Sequence, residues 1–309
     1  MEELRYRTAV VDGLEGEALA DLLASAGSDV FGLGLSQQRF APGGFRVVGC
    51  RALDHSLLNR ILGVGSSGCT TDEAQRVLDA WSVQHRDARL WLDLPEWLLE
   101  RWQPWLDRRR AIATGVGREI LTHDGSLPPL VRTDVEISRA TSSDAAAVGL
   151  LLARAFGLPA SAAMLFRGVV VAPRWHVFVG RVEGRLDAAA SLFVSGDRGF
   201  LGPCGTALAA RRGGAHFALT ALAIRAALNL GCRTIATAVP DAGTGDGAAV
   251  LRNLERLGLR RVTSTRGFAL VASDGCRALS QPRHSRKWRR ESAHVAGPSP
   301  ADRSHSRGR

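Results

Sequence analysis

The stretch from Phe200 to Leu230 constrains the architecture of this chain more than any other. Phe200-Leu201-Gly202-Pro203-Cys204-Gly205-Thr206 reads as a strand, Arg211-Arg212-Gly213-Gly214-Ala215-His216 as a turn, and Phe217 to Leu230 as an Ala- and Leu-rich helix without proline that stops at Gly231. Paired glycines let the backbone turn tightly and approach a ligand closely. The first turn of the helix then offers free N–H groups at the positive end of its dipole, where anions bind. Two arginines beside that end suit a phosphate-bearing partner. Strand-to-helix turns rich in glycine occur in many folds, so this stretch alone predicts an anion cradle and no particular ligand.

Periodicity supplies the neighbours. In the first half, Gly13 to Ala26 predicts a helix with Leu14, Ala18, Leu19, Leu22 and Leu23 on one side. Strands are expected at Phe45–Ala52 and Leu57–Val64, and a helix capped by Thr70 or Thr71 runs to about Gln84. Arg89–Leu92 is a short strand, Pro95 opens a Trp-rich helix to about Arg108 that Pro104 kinks or splits, and Arg118–Thr122 closes the half as a strand. Gly125, Pro128 and Pro129 mark a linker within 124–133. Beyond it come a strand at Val135–Ser138, a helix capped around Thr141–Asp144, a further helix at about Ala160–Val169, and strands at Trp175–Val182, Leu186–Val194 and Gly199–Cys204. Gly184 and Gly196 sit where hairpins turn. After the 217–230 helix, a strand at Thr234–Val239, a helix at Ala248–Leu257 and a strand at Phe268–Val271 finish the folded part, and Asp241–Gly247 reads as a flexible loop.

Charge and composition narrow the function. The net charge of +10 resembles a nucleic-acid signature, but residues 277–309 hold nine Arg or Lys against Glu291 and Asp302, leaving +3 for the other 276 residues. That segment, rich in Ser, Arg, His and Pro, is expected to be a disordered basic tail. The single lysine, Lys287, lies in it, which removes P-loop, Schiff-base and kinase-type lysine chemistry from the body. Cys50, Cys69, Cys204, Cys232 and Cys276 are scattered and odd in number, predicting free thiols and no metal site. No apolar run reaches the roughly 18 residues of a membrane span, and Met1-Glu2-Glu3-Leu4-Arg5 lacks a signal-peptide pattern, so a soluble cytoplasmic protein is expected.

Taken together, the element order and two junctions resemble the GNAT superfamily of acyl-CoA N-acyltransferases over about residues 135–272. Arg211 and Gly214 match the first and fourth positions of the loop pattern (R/Q)-x-x-G-x-(G/A), Thr206 ends the preceding strand, and Asn253 in Val250-Leu251-Arg252-Asn253-Leu254-Glu255-Arg256-Leu257-Gly258-Leu259 matches the asparagine of a later helix. Arg139-Ala140-Thr141-Ser142-Ser143-Asp144 resembles the family's opening R-A-T-x-x-D. Asn59-Arg60-Ile61-Leu62-Gly63-Val64-Gly65 resembles the N-terminal half of tandem members, but lacks an RxxG loop before Asp72.

The resemblance implies an α/β fold of the α+β type, with two GNAT-like domains, each a mixed, mostly antiparallel sheet flanked by helices. It implies a degenerate domain over 1–130, an acyl-CoA-binding domain over 131–276 and the tail over 277–309. It further implies that acetyl-CoA, the acyl donor, contacts Thr206, Ala207, Leu208, Arg211, Arg212, Gly213, Gly214, Ala215, His216 and Asn253, and that an amine attacks the thioester directly without a metal. Two departures stand out: His216 replaces the small sixth residue of the loop, and no tyrosine lies between 260 and 275 to serve as the usual general acid, only Thr263, Ser264 and Thr265. The lone tyrosine of the chain is Tyr6.

No proton acceptor is singled out among His176, Glu183, Asp187 and Asp197, which read as a structural histidine and turn carboxylates. Cys204 reads as a small buried hydrophobe. The cluster Trp91, Trp97, Trp102 and Trp105 reads as core, with an aromatic wall for an acceptor as the alternative. A different class also stays open: an acyl-CoA-binding or interaction protein with weak or no catalysis, whose tail contacts nucleic acid or acidic partners.

Overall fold

The computed structural model describes residues 2–27, 32–40, 45–64, 70–84, 89–115, 117–131, 133–240 and 245–270. The predicted basic tail and strand end at 271, and most of the 241–247 loop, lie outside the described residues. All described residues fall in one compact unit.

The chain opens with a long helix, α1 (Glu2–Ser25). It starts eleven residues before the predicted Gly13, and Gly16 sits inside it because a Cβ there would meet Arg46 Cδ at 3.0 Å. Strands β1 (Leu35–Arg39), β2 (Arg46–Cys50) and β3 (Arg60–Leu62) lead to α2 (Thr71–Gln84). Thr70 caps α2 with a reciprocal box: Glu73 N–H donates to Thr70 Oγ1 at 3.3 Å, and Thr70 N–H donates to Glu73 Oε2 at 2.9 Å. Next come β4 (Leu90–Pro95), α3 (Glu96–Arg108), the two-residue β5 (Ile112–Ala113) and β6 (Arg118–His123). Pro104 leaves α3 unbroken.

The second half runs β7 (Glu136–Arg139), a 3-10 turn at Ser142–Asp144, α4 (Ala145–Ala155), α5 (Ala163–Arg167) between two further 3-10 turns, β8 (Trp175–Val182), β9 (Arg185–Ser195) and β10 (Arg198–Thr206). Then follow α6 (Ala215–Asn229), β11 (Thr234–Pro240), α7 (Gly245–Arg256) and β12 (Leu259–Leu270). Gly184 and Gly196 turn the β8–β9 and β9–β10 hairpins at φ of 76° and 60°.

The main path of the sheet is β1-β2-β3-β4-β12-β6-β11-β10-β9-β8-β7, with β5 paired to β12. Every pair is antiparallel except β3–β4 and β10–β11. The two halves are stitched together by exchange. β6, which precedes the linker, inserts between β11 and β12, while Thr265–Leu270 of β12 pairs back onto β4. β12 is far longer than the predicted Phe268–Val271.

Alternation along the strands divides the core by face. One face packs α6 and α7 residues such as Leu219, Ile224, Leu251 and Leu254 on Leu192, Leu201 and Ile235. The opposite face receives α1, α4 and α5, where Val11, Leu14, Leu152 and Phe166 meet Ile120, Phe193 and Ala236, and also Val48 and Leu62 of the first half. A third cluster lies under α2 and α3. Trp102 and Trp105, both fully buried, meet there edge-to-face at 5.3 Å, with Trp105 Nε1 donating to Asp79 Oδ1 at 3.1 Å.

Candidate active site

The two middle strands of the second half start together and then part. β10 and β11 pair in parallel only from Arg198↔Thr234 to Phe200↔Ala236. Past that point β10 keeps only β9 as a partner and β11 only β6, and the β10–β9 register shifts between Leu201 and Cys204. Thr237 Oγ1 donates to the Leu201 carbonyl at 2.8 Å, bridging the root of the opening. The edges of Gly202–Thr206 and Thr237–Pro240 thus share no ladder pairing, which leaves an opening between the two strands.

The opening leads into the predicted turn. Ala207 N–H donates to the Asp187 carbonyl at 2.7 Å, a 3-10 turn covers Leu208–Ala210, and Leu208 is exposed. Arg211, Arg212, Gly213 and Gly214 are all exposed. Left-handed backbone falls on Arg212 (φ 72°) and Gly214 (φ 79°), so the first of the two predicted turn glycines does not need its conformational freedom. Gly214 is the N-cap of α6 and provides no side-chain cap. Among the described residues, no protein acceptor is seen for the N–H groups of Ala215, His216 and Phe217.

Two further polar atoms at this place have no partner among the described residues. Thr206 Oγ1 and His216 Nδ1 are both buried without a hydrogen bond, a costly arrangement unless something else satisfies them. Burial pushes the His216 imidazole below its usual range, so it is neutral near pH 7. Exposed arginines, helix N–H groups without a protein acceptor and two orphaned polar atoms thus fall within residues 206–217, a set suited to an anionic ligand.

The structure places Thr206, Ala207, Leu208, Arg211, Arg212, Gly213, Gly214, Ala215 and His216 in succession along the end of β10, the turn and the start of α6. Asn253 stands apart, half-buried on α7 and joined to the loop by no hydrogen bond among the described residues. Its helix reaches α6 through Arg256, whose guanidinium lies 4.7 Å from the Phe217 ring. The suggested proton carriers are elsewhere. His176 lies on β8 against Arg139, at 3.2 Å, two strands beyond β10. Glu183 occupies a hairpin, Asp187 pairs with Arg185 at 2.9 Å, and the Asp197 carbonyl ties the β9–β10 turn to Arg233. Burial pushes the Cys204 thiol up to about 11, which removes it as a nucleophile. Tyr6 is 65% exposed on α1. Ser264 and Thr265 are committed to β6, through Glu119 Oε2 at 2.8 Å and the Arg118 backbone at 2.9 and 3.3 Å.

A charged cluster that sequence reading did not single out lies on the α1 face. Glu15 bonds both Arg60 of β3 and Arg118 of β6, each at 2.5 Å, and Asp93 of β4 bonds the same two arginines at 2.9 Å. Burial works against ionised Glu15, but the two guanidiniums outweigh it and hold the carboxyl at about 2. Asp12, one turn earlier and 7% exposed, is the third acid beside two bases. It has no hydrogen bond or ion pair among the described residues, and burial raises it to about 7 despite Arg118. Its signal in the sequence is acids at 12 and 15 within the apolar run Val11, Leu14, Ala18 and Leu19. No three His, Cys, Asp or Glu side chains cluster as metal ligands among the described residues.

No family model and no curated protein sequence matches this chain. Solved structures do resemble it. A GCN5-related N-acetyltransferase from Kribbella flavida superposes with a TM-score of 0.55 at 15% identity, covering 84% of this chain and 95% of its own. One from Sphaerobacter thermophilus gives 0.55 at 13% identity, covering 87% and 93%. A tandem GNAT protein from the clavulanic acid biosynthesis pathway gives 0.54 at 15% identity, covering 87% and 98%. The fold of this chain is that of the GNAT acetyltransferases.

Proposed function

We propose that this protein is an N-acetyltransferase that binds acetyl-CoA between β10 and β11 and transfers the acetyl group to an amine. The observation that carries this reading is the parting of β10 and β11 toward the left-handed, uncapped start of α6. An extended pantetheine arm takes the free backbone edge of Gly202–Thr206 as a strand would. The pyrophosphate takes the N–H groups of Ala215 to Phe217, with Arg211 and Arg212 beside it. Thr206 Oγ1 and His216 Nδ1 gain partners in the same event.

The chemistry asked of the protein is modest. Holding amine and thioester in contact supplies much of the acceleration, and backbone N–H groups at the ladder break Leu201–Cys204 stabilise the charge that develops on the carbonyl oxygen. The amine nitrogen attacks the carbonyl carbon, the C–N bond forms, and the C–S bond breaks to release thiolate. No helix of the described residues is long and apolar enough to cross a membrane. The described cysteines Cys50, Cys204 and Cys232 are free, which supports a reducing, cytoplasmic setting.

Calorimetry with acetyl-CoA, followed by thiol release against a panel of primary amines, tests the reading. Binding with thiol release on at least one amine is expected. Binding without release on any amine would leave a CoA-binding protein in place of a transferase.

A further inference from the structure

We propose that Asp12 of α1 is the proton acceptor for the attacking amine, supplied by the N-terminal helix to a site on the second half's sheet. This rests on the acetyltransferase reading above.

The placement follows from how α1 crosses the sheet. It packs on β10, β11, β6 and β12. Its later turns lie over the closed end: Ser195 Oγ donates to Glu17 at 2.7 Å, Arg198 pairs with Glu17 at 3.5 Å, and Trp175 Nε1 donates to Asp21 at 2.8 Å. Asp12 lies five residues back along the helix, about 7.5 Å at 1.5 Å per residue. That carries it from the roots of β9 and β10 toward the parted ends. Arg118, the strongest charged neighbour of Asp12, stands opposite Pro240, the last residue of β11. Pro240 is four residues past the final β10–β11 pair, level with Gly202–Cys204 across the opening. Asp12 therefore stands on the α1 face of the sheet, beside the β11 edge of the opening.

Charge in the cluster explains why Asp12 is the mobile proton. The groups facing it are Glu15 on its own helix, Arg118 of β6, Arg60 of β3 and Asp93 of β4. Both arginines pair with Glu15 and Asp93, whereas Asp12, beside them, forms no ion pair among the described residues. A carboxyl that exchanges its proton near neutral pH is matched to an ammonium acceptor. As the C–N bond forms, the proton on nitrogen passes to the Asp12 carboxylate, directly or through one water. It then passes to the departing thiolate, so that CoA leaves as the thiol and Asp12 is regenerated. A separate tyrosine acid is then unnecessary.

The test compares the full-length protein with Asp12→Asn and Asp12→Glu, using acetyl-CoA and four probes: an aminoglycoside, a polyamine, a free amino acid and a short peptide. Asp12→Asn should bind acetyl-CoA within about twofold of the parent, which also shows that it folds. Its kcat/KM should fall about 100-fold or more, with loss of the acidic limb of the pH profile that the parent shows around pH 7. Asp12→Glu should restore part of the rate with a shifted limb. An Asp12→Asn protein with the parent's rate and acidic limb would overturn the assignment. Acetyl-CoA binding without thiol release by the parent would sink the transferase reading and the assignment with it, whereas absent binding would sink the cradle.

Discussion

Among the described residues, two strand pairs are parallel, β3–β4 and β10–β11, and the chain treats them in opposite ways. Each pair is short: Arg60↔Trp91 and Ile61↔Leu92 in the first half, three residue pairs in the second. Beside β3 and β4, the protein spans the strands with its own charges, Arg60 and Arg118 against Glu15 and Asp93. At β10 and β11 it leaves Thr206 Oγ1, His216 Nδ1 and the start of α6 unsatisfied. A buried polar group without a partner destabilises the fold, so the contrast supports the proposal that β10 and β11 take a ligand, while at β3 and β4 Asp12 is the one acid of the cluster left without an ion pair among the described residues.

The largest effect should come from breaking the filled pair. Arg118→Ala leaves Glu15 and Asp93 short of a buried cation and is expected to cost about 3–5 kcal/mol, read by denaturant unfolding. A loss below about 1 kcal/mol would show that the cluster is solvated. At the open pair, Arg211→Ala should weaken acetyl-CoA binding by about 1.5–3 kcal/mol in calorimetry. Thr206→Val should do something that no substitution in the filled pair can: leave the free protein as stable or slightly more so, yet weaken acetyl-CoA, since it removes an orphaned hydroxyl that only the ligand satisfies. Equal affinity would mean that the hydroxyl has no role in binding.

The pH dependence of stability sharpens the same contrast. Asp12 is raised when folded, from 3.8 to about 7. Its contribution is fully present below about pH 4 and is lost as pH rises through 7, by at most about 1.4 kcal/mol per pH unit. Glu15 is lowered, so its contribution is present above about pH 4.5 and lost as pH falls through about 2. Unfolding of Asp12→Asn should therefore depend less on pH than the parent between 4 and 8, and the variant should be the more stable at pH 8 and above.

What the sequence made legible follows from locality. β8 and the helix after the loop could be read because hairpin glycines and an unbroken Ala/Leu run fix them. The strand, turn and helix start proposed as the cradle could be read because a strand, two arginines and paired glycines are consecutive. The early turns of α1 escaped notice because they are mostly polar and exposed, and Gly13 mimics a start. Most of β12 escaped because Arg260, Arg261, Thr263 and Ser264 carry little apolar pattern: they meet β6, a partner more than 130 residues away. Asp12 was invisible as a functional group for a related reason. Its chemistry depends on Arg60, Asp93 and Arg118, which only the tertiary fold brings to it.

The central claim is that one of the two parallel pairs takes the cofactor and the other is closed by the protein's own charges. Titrating the full-length chain with acetyl-CoA by calorimetry tests it most directly. One equivalent bound per chain, abolished or strongly weakened by Arg211→Ala together with Arg212→Ala, is the predicted result. Two equivalents, or one that is indifferent to those arginines, would contradict it.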